Sequence, residues 1–256
     1  PGAVASLSQP FVRIAPDGRI TVLIKHLEMG QGVSTGLATI LAEELDADWA
    51  LVHTEVAPFD PTLYKHTVFG IQTTGGSSSV TNSWQQLREA GAVARAMLLQ
   101  AAAQHWQVPV KTLSAHRSRV MHGATGRQIG YGELAAAAAK LPVPSGVPLK
   151  SKAAYTLFGR ERHRLDTDKV VRGETQYGID IRRPHQLTAM IQRPPCFGGT
   201  VRSLDAAEAL ALPGVVAVHR LPQGVAVVAD NTWAALQARR LLKIDWDNSK
   251  AETRST

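Results

Sequence analysis

Cysteine is nearly absent from this chain of 256 residues, in which Cys196 is the only one. A single thiol excludes an internal disulfide, a zinc site built from several cysteines and an iron–sulfur cluster held within the chain. Cys196 lies in a turn-rich segment, RPPCFGG, to which no histidine or asparagine partner can be assigned. We therefore predict a buried or half-buried structural thiol rather than a nucleophile.

Long apolar runs and metal-binding histidine spacings are also missing. The longest apolar runs, such as residues 135–139 and 214–218, are far too short to cross a bilayer. The histidines show no HExxH or similar spacing, so no metal site is predicted within the chain. Because the chain opens on Pro1 without a methionine, we expect it to be a trimmed piece of a longer protein, so its targeting cannot be read from it.

Basic and aromatic residues are not arranged for nucleic-acid binding. The formal net charge is +7, yet aromatic residues make up only 5% of the chain. The densest basic cluster, residues 160–164, contains Glu161 and is followed by Asp166 and Asp168. Nucleic-acid binding needs a clustered basic face with aromatics interleaved, so we expect a dispersed, solvated surface and no nucleic-acid partner.

What the sequence does contain is a glycine-rich turn at residues 28–36 (EMGQGVSTG), which we call the first glycine loop. It separates an apolar strand from an amphipathic helix predicted at residues 37–45. Glycines let the backbone approach a ligand closely, a helix N-terminus attracts phosphate, and the amide of Gln31 both donates and accepts. These features favour a polar, phosphorylated cofactor. The alternative is an ordinary strand–helix turn with Ser34 or Thr35 as N-cap.

Two familiar phosphate-binding loops do not match the first glycine loop. The Rossmann fingerprint needs G-x-G-x-x-G, and Gly36 lies one residue too far along the chain. The P-loop needs a lysine and then a serine or threonine after its last glycine, where Leu37 and Ala38 stand instead.

A second glycine-rich segment, GGSSS at residues 75–79, begins the strongest predicted helix, which runs to about Trp106. We call this segment the second glycine loop. Ser77 or Ser78 is the predicted N-cap, and small residues along the helix predict close packing against another element. Two such helix starts predict that one dinucleotide-sized ligand is held from two sides, whereas the alternative is that both are ordinary caps.

Alternating and helical patterns predict the other elements, with the clearest linker at the proline-rich residues 142–148. An opening hairpin of residues 11–15 and 20–26 surrounds a Pro-Asp-Gly turn. Further strands are predicted at residues 52–56, 113–120, 175–181, 186–192, 215–221, 225–229 and 242–246, and further helices at 131–141, 205–211 and 232–241.

EMGQG at residues 28–32, with Thr35 and Gly36 and then LAEEL at residues 41–45, resembles the molybdopterin-binding segment of the xanthine dehydrogenase and aldehyde oxidase family. The second part of the chain resembles that family's α/β hammerhead domain. The segments that carry this likeness are RLD at 164–166, KVVRG at 169–173, YGID at 177–180, RPP at 193–195, GVV at 214–216 and residues 225–230.

The resemblance implies an α+β fold class, with an N-terminal α/β molybdopterin-binding segment followed by an α/β hammerhead domain. The implied division is residues 1–148 for the molybdopterin-binding portion, 149–164 for an extended linker, 165–248 for the hammerhead domain and 249–256 for a tail.

The order of the segments narrows the resemblance. In the common members of the family the hammerhead domain precedes the MGQG segment, whereas here MGQG comes first. This order is similar to that of the branch that contains the isoquinoline 1-oxidoreductase β-subunit and also bacterial aldehyde and nicotinate dehydrogenases. The stretch TGGSSS at residues 74–79, leading to Trp84 and Leu87-Arg88, belongs to the same pattern.

For function, the resemblance implies the N-terminal portion of the large subunit of a molybdenum hydroxylase, an oxidoreductase that oxidises an aldehyde or N-heterocycle with water as the oxygen source. The implied cofactor is molybdopterin with molybdenum, in its cytosine dinucleotide form. The implied partners are the remainder of the large subunit, a 2Fe-2S small subunit and, in many relatives, a cytochrome c subunit. A periplasmic or periplasmic-face location is implied rather than a cytoplasmic one. The alternative is a non-catalytic binding or assembly module that kept the fold without the cofactor.

Site residues follow from the same resemblance. Gln31 is expected near the molybdenum end of the cofactor, and the backbone of both glycine loops is expected to hold the pterin or its phosphates. The implied cofactor-binding residues are Met29, Gly30, Gln31, Gly32, Thr35, Gly75, Gly76, Ser77, Ser78 and Ser79.

No catalytic residue is predicted in this chain, which is expected to be inactive alone. The family's catalytic glutamate lies in a Gly-x-Gly-Glu segment near the C-terminus of the subunit, in a portion expected outside this chain. Glu43 and Glu44 are expected on a solvated helix face, and whether Glu28 supports the first glycine loop is left open.

Overall fold

The computed structural model describes residues 6–254. The chain divides into two compact units, one ending at Thr175 and the other beginning at Gln176. Helices and mainly antiparallel sheets are mixed in the manner of an α+β fold, as predicted. The predicted domain boundaries at residues 148, 164 and 248 stay predictions. Within residues 6–254, none of the helices combines the length and the apolar character needed to cross a membrane.

From residue 6 onward, the first unit contains seven strands and five α-helices. Its strands are β1 (Leu7–Gln9), β2 (Val12–Ile14), β3 (Ile20–Ile24), β4 (Val52–Val56), β5 (Leu113–His116), β6 (Arg119–His122) and β7 (Arg127–Gly130). Its helices are α1 (Val33–Leu45), α2 (Pro61–Tyr64), α3 (Ser79–Trp106), α4 (Tyr131–Ala138) and α5 (Thr167–Val171). The strands form one sheet in the order β1-β2-β3-β4 and another in the order β5-β6-β7.

The sheet containing β3 and β4 positions the first glycine loop. The predicted hairpin of β2 and β3 is confirmed, and Gly18 closes its turn by donating its N–H to Ala15 O at 2.9 Å. Strands β3 and β4 are parallel, and such neighbours need a crossover connection, which α1 supplies. The loop that leads from β3 into α1 therefore lies at the end of the sheet where the carboxyl ends of β3 and β4 meet.

Helices α1 and α3 pack closely, as the small residues of the long helix predicted. A Cβ atom placed at Gly91 would lie 2.5 Å from the carbonyl oxygen of Leu41, so only glycine fits at this crossing. Leu37, Leu87 and Leu98 are fully or almost fully buried in the same cluster. The core of the first unit therefore lies directly beside the helix that follows the first glycine loop.

The prediction of a solvated face for Glu43 and Glu44 is wrong, because both side chains are fully buried. Glu44 pairs with Arg88 at 2.6 Å, and Glu43 pairs with Lys150 at 3.0 Å. Glu43 also accepts hydrogen bonds of 2.6 to 3.1 Å from the backbone N–H groups of residues 156–158. Ion pairs and backbone donors satisfy both carboxylates, which the local helical pattern could not show.

Some local predictions also differ from the structure. The strand predicted at residues 113–120 is a hairpin of β5 and β6, because Arg117 and Ser118 adopt φ of 45° and 58° and reverse the chain. The strand predicted at residues 175–181 is instead a 3₁₀ turn at Gly178–Asp180. The carboxylate of Asp180 accepts the backbone N–H of Tyr177 at 3.0 Å in this turn.

The second unit, described as far as residue 254, contains a three-stranded and a two-stranded antiparallel sheet. Its strands are β8 (Thr188–Gln192), β9 (Thr200–Asp205), β10 (Val215–Leu221), β11 (Gly224–Ala229) and β12 (Lys243–Asp247), and its helices are α6 (Ala207–Leu210) and α7 (Thr232–Arg240). The sheet orders are β10-β11-β8 and β12-β9. A small cluster of Ala209, Val227 and Ala238 forms its core. Strand β9 was not predicted, because its polar sequence becomes a strand only by pairing with β12.

The prediction of a buried or half-buried thiol at Cys196 is wrong, because this residue is exposed. The RPPCFGG segment forms a turn between β8 and β9, closed by a 3.1 Å hydrogen bond from Gly199 N–H to Cys196 O. Phe197, beside it, is 90% exposed. Together with Arg193 and Gln223, the turn lines an open cavity of about 590 Å³. Proline and glycine keep this segment outside the sheet, so its side chains are not covered.

Candidate functional site

The first glycine loop is held together by the carboxylate of Glu28. Gly30 and Gly32 adopt φ of 101° and 82°, a region that favours glycine. The N–H groups of Gly30 and Gly32 donate to Glu28 Oε1 and that of Ser34 donates to Oε2, each at 2.9 Å. Gly32, rather than Ser34 or Thr35, is the N-cap of α1. Glu28 therefore supports the loop, a role that the sequence left open.

The carboxylate of Glu28 is ionised at neutral pH. Burial raises its pKa, but hydrogen bonds from the N–H groups of Ser34, Gly32 and Gly30, together with the charge of Arg164, hold the pKa below its usual value. The N-terminus of α1, where a helix favours a negative charge, thus already faces an anion of its own chain.

The side chain of Gln31 folds back on its own loop. Its Oε1 accepts the N–H of Met29 at 2.6 Å, and its Nε2 donates to the carbonyl of Leu27 at 2.9 Å. Both Gln31 and Met29 are exposed. The two bonds fix the plane of the Gln31 amide while leaving the residue at the surface.

Arg164 and Leu165 contact the first glycine loop from a distant part of the chain. Arg164 Nη1 donates to the carbonyl of Gly30 at 2.9 Å, and its Nη2 lies 3.5 Å from Glu28 Oε1. The N–H of Leu165 donates to Oγ1 of Thr35 at 3.0 Å. Sequence reasoning placed Arg164 in the basic cluster and in the hammerhead likeness and missed this contact, since 134 residues separate it from Gly30.

The second glycine loop leads into α3 with an open helix start. Ser78 is the N-cap, as predicted, but its side chain makes no capping hydrogen bond. Its hydroxyl instead donates to the carbonyl of Gly75 at 2.8 Å. Gly76 and Ser77 adopt φ of 62° and 52° and are exposed. The first turn of α3 therefore begins without a side-chain oxygen on its N–H groups.

His66 fixes the orientation of the Ser78 hydroxyl. The imidazole is 2% exposed, and its Nε2 lies 2.7 Å from Oγ of Ser78. The backbone N–H groups of Val68 and Phe69 donate to Nδ1 at 3.2 and 3.3 Å. Because Nδ1 accepts, the neutral ring carries its proton on Nε2 and donates it to Ser78.

The structure brings the two glycine loops together. The N–H of Leu27, just before the first loop, donates to Oγ1 of Thr74, just before the second loop, at 2.7 Å. Beside this bond, Nδ1 of His26 lies 3.0 Å from the carbonyl of Thr73. The ten predicted cofactor-binding residues thus belong to adjoining segments of the first unit.

A buried basic cluster lies behind the second glycine loop, and sequence reasoning missed it. Lys25 is 4% exposed, and its ammonium donates to neutral oxygens of Asn82 (2.7 Å), Gln86 (2.5 Å) and Lys65 (3.4 Å). Burial lowers the pKa of Lys25 to about 8. Burial also lowers the pKa of the neighbouring His26. The only available signal was a lysine and a histidine directly after the apolar strand β3.

Exposed apolar side chains occur close to the two loops in the sequence, and we call them the apolar rim. They belong to the first glycine loop and the residue before it, or to the segment between β4 and α3. The rim consists of Leu27, Met29, Phe59, Val68, Phe69 and Ile71, each at least half exposed. Phe69 stacks on His66 with ring centroids 4.1 Å apart, which connects the rim to the second glycine loop.

The pattern Gly-x-Gly-Glu also occurs at residues 130–133, where it forms the start of α4. Oε1 of Glu133 accepts the N–H of Gly130 at 3.0 Å, in a capping interaction at the start of that helix. Gly132 packs against the hairpin turn, where a Cβ would lie 2.4 Å from the carbonyl of Pro16. Glu133 therefore has a local structural role.

Relatives of known name cover nearly all of this chain. The beta chain of isoquinoline 1-oxidoreductase from Brevundimonas diminuta is 31% identical over 96% of the chain and 36% of its own length. A membrane-bound aldehyde dehydrogenase (pyrroloquinoline-quinone) of Gluconacetobacter polyoxogenes is 34% identical, over 96% and 33%. A nicotinate dehydrogenase subunit of Pseudomonas putida is 32% identical, over 92% and 20%. The chain spans about a third or less of the length of these relatives.

Among solved structures, quinoline 2-oxidoreductase of Pseudomonas putida 86 aligns with 54% of the chain and 17% of its own chain, at 21% identity and a TM-score of 0.40. The family assignment depends on sequence: residues 4–180 match the model of the molybdopterin cofactor-binding domain. These residues include both glycine loops and Arg164, and the chain belongs to the molybdopterin cofactor-binding domain family.

Proposed function

We propose that this chain is the N-terminal portion of the molybdenum-cofactor-binding large subunit of a molybdenum hydroxylase. The reaction is the oxidation of an aldehyde or N-heterocycle, with water as the oxygen source and electrons passed to a separate iron–sulfur subunit. One observation carries the proposal. In a chain of a molybdopterin-binding family, two glycine loops from distant parts of the sequence adjoin through the Leu27–Thr74 hydrogen bond.

The backbone of the site fits a large cofactor. A Cβ placed at Gly30 or Gly75 would meet no atom within 4 Å, so the space beside both glycines is open. Gly76 and Ser77 are exposed as well. Open backbone of this kind supplies the N–H and carbonyl groups that a polar heterocycle needs along its edge.

The charges of the two loops favour different parts of the cofactor. The N–H groups at the start of α1 are taken by Glu28, whereas α3 starts without a side-chain cap. An anion is therefore favoured at α3 and disfavoured at α1. We assign the phosphates to the segment from Gly75 through Gly76, Ser77 and Ser78 to Ser79.

We assign the molybdenum end of the pterin to the segment from Met29 through Gly30 and Gln31 to Gly32. The Gln31 amide carries two N–H donors, of which one bonds the Leu27 carbonyl. The other is assigned to the cofactor. Thr35 acts through the loop, since its hydroxyl accepts the N–H of Leu165. When bound, the cofactor supplies the oxidation of the substrate, and this chain binds and orients it.

The remaining walls of the site are assigned to the rest of the large subunit, together with the catalytic glutamate. Two observations support this: the chain spans about a third of the length of these relatives, and the apolar side chains of the rim are exposed. Large exposed apolar areas mark interaction sites.

We further assign a 2Fe-2S small subunit as the electron acceptor and a cytochrome c subunit as the next acceptor, and we assign the complex to the periplasm. We also propose that the cofactor is in its cytosine dinucleotide form and that residues 165–248 form a hammerhead domain.

Metal analysis of the purified full-length complex tests the proposal. We expect molybdenum and a pterin dinucleotide in it. Gln31→Ala should lower cofactor content or turnover about tenfold, the worth of one good hydrogen bond, while the thermal unfolding midpoint stays unchanged. Gln128→Ala, at an exposed position on β7, is the matched control and should change neither.

A full-length complex that contains no molybdenum would refute the proposal and favour a binding or assembly module. If the Gln31→Ala and Gln128→Ala complexes are equally active, the proposed molybdenum binding stands, but the assignment of Gln31 to the cofactor site is refuted.

A further inference from the structure

The geometry points to a clasp, formed by Glu28 and Arg164, that fixes the first glycine loop and keeps phosphate away from the start of α1. Glu28 occupies the place that a bound anion would take, and Arg164 ties this carboxylate to the segment that follows residue 163. The inference deepens the proposed function, since it depends on that function for what the loop binds. The contacts of the clasp itself lie within this chain and form without a cofactor.

Glu28 uses both carboxylate oxygens as acceptors. Oε1 takes the N–H groups of Gly30 and Gly32, and Oε2 takes that of Ser34. These donors belong to the turn and the first residues of α1, where a phosphate would bind in a phosphate-binding helix start. A second anion there would meet the charge of Glu28 and find these three N–H groups already occupied.

Arg164 joins three acceptors around the loop. Besides the Gly30 carbonyl and Glu28, it makes a two-pronged pair with Asp166, with Nε–Oδ1 of 2.9 Å and Nη2–Oδ2 of 2.6 Å. The pair with Asp166 holds the guanidinium plane, because a bidentate pair fixes orientation as well as charge.

The clasp sets the position of Gln31. This residue lies between Gly30, whose N–H and carbonyl are bound by Glu28 and Arg164, and Gly32, whose N–H is bound by Glu28. Its neighbours on both sides are therefore held. Glu28 and Arg164 are accordingly positioning residues, which act on the cofactor through the loop and Gln31.

Amide hydrogen exchange of the 256-residue chain, followed by NMR, tests the clasp without any cofactor. In Glu28→Gln, one oxygen becomes an NH₂ donor that faces backbone N–H groups at either orientation. We expect exchange at Gly30, Gly32 and Ser34 to become at least about tenfold faster, while α3 keeps its rates. Glu174→Gln, a carboxylate of the same unit paired at the surface with Arg172, is the control and should change none of these amides.

Substitutions of Arg164 keep the test decisive if Glu28→Gln fails to fold. Arg164→Met should speed exchange at the same three amides. Arg164→Lys, which keeps the charge but loses the bidentate geometry, should give intermediate rates. Arg172→Met is the control for the lost surface charge. Wild-type rates at these amides in Arg164→Met would overturn the clasp.

Titration with inorganic phosphate tests the exclusion of anions. In the wild-type chain, amide shifts of Gly30, Gly32 and Ser34 should not respond, whereas in Glu28→Gln they should. A response of these amides in the wild type would overturn the inference. These readouts need no molybdenum, so a complex without metal would refute the proposed function and leave the clasp standing.

Discussion

Glu43 illustrates how one buried carboxylate organises a distant stretch of backbone. It lies on α1 and accepts N–H groups from residues 156–158 as well as the ammonium of Lys150. Burial raises its pKa, but the N–H of Thr156, the Lys150 ammonium and the following N–H groups lower it below the usual value. Glu43 is thus an ionised anchor for the segment that precedes Arg164.

Removing the charge of Glu43 should destabilise the chain. We expect Glu43→Gln to lower the free energy of unfolding by about 3 kcal/mol, because an amide cannot accept every buried backbone donor and leaves Lys150 with Asp46 as its remaining carboxylate partner. Glu89→Gln, an exposed glutamate on α3, is the control and should cost less than about 0.5 kcal/mol. Urea denaturation measures the free energy of unfolding of both variants. Equal losses in the two would contradict the role of Glu43 as an anchor.

The pH dependence of the same pair of proteins follows from the sign of the pKa shift. A carboxylate whose pKa is lowered on folding stabilises the native state above its unfolded pKa, and this stabilisation is lost as the pH falls through the folded value. The stability difference between the wild type and Glu43→Gln should therefore be largest near neutral pH and shrink below about pH 4. A difference that grows on acidification would show that the shift has the opposite sign.

At the scale of elements, the crossing of α1 and α3 determines which glycines are structural. Gly91 meets the backbone of α1, whereas a Cβ at Gly36, in the first turns of α1, would meet no atom within 4 Å. Both glycines lie in helices, so the substitution to alanine changes the same helix propensity at each position. Only the space around the Cβ differs.

Gly91→Ala and Gly36→Ala should therefore have opposite effects. Gly91→Ala should destabilise the chain by about 2 kcal/mol, because the methyl group forces the helices apart. Gly36→Ala should stabilise it by roughly 0.5–1 kcal/mol, because alanine is the better helix former. Thermal unfolding of both variants measures the contrast, and two shifts of the same sign would refute the close crossing.

At the scale of the whole molecule, the larger core lies entirely in the first unit. Its buried cluster is drawn from residues between Leu7 and Ala138, with partly buried residues up to Leu165 packed against it. The clustered core of the second unit consists of three small or medium side chains. Stability should therefore be distributed unequally between the two units.

Expression of residues 1–175 alone should yield a protein that unfolds cooperatively in urea. Since every member of the larger cluster is present, we expect a midpoint within about 0.5 M of that of the corresponding transition in the full chain. Residues 176–256 alone should unfold at a lower urea concentration. A first unit that shows no cooperative transition would contradict this division.

The sequence by itself determined the features that depend on near neighbours. The alternating residues around Pro16–Gly18 predicted the opening hairpin, and small residues around Gly91 predicted a close helix crossing. Glycines at residues 30 and 32 marked a backbone turn that other residues adopt only with strain. The MGQG pattern indicated the molybdopterin-binding family, which the family match confirms.

Tertiary structure alone decided the features whose partners lie far apart in sequence. The helical pattern placed Glu43 on a solvated face, but donors 113 to 115 residues away bury it. Arg164 reaches Gly30 across 134 residues, and Lys25 is enclosed by side chains of α3. A charged residue has the same local pattern whether water or a distant donor solvates it. The difference is the cost of desolvation, which only the folded chain can offset.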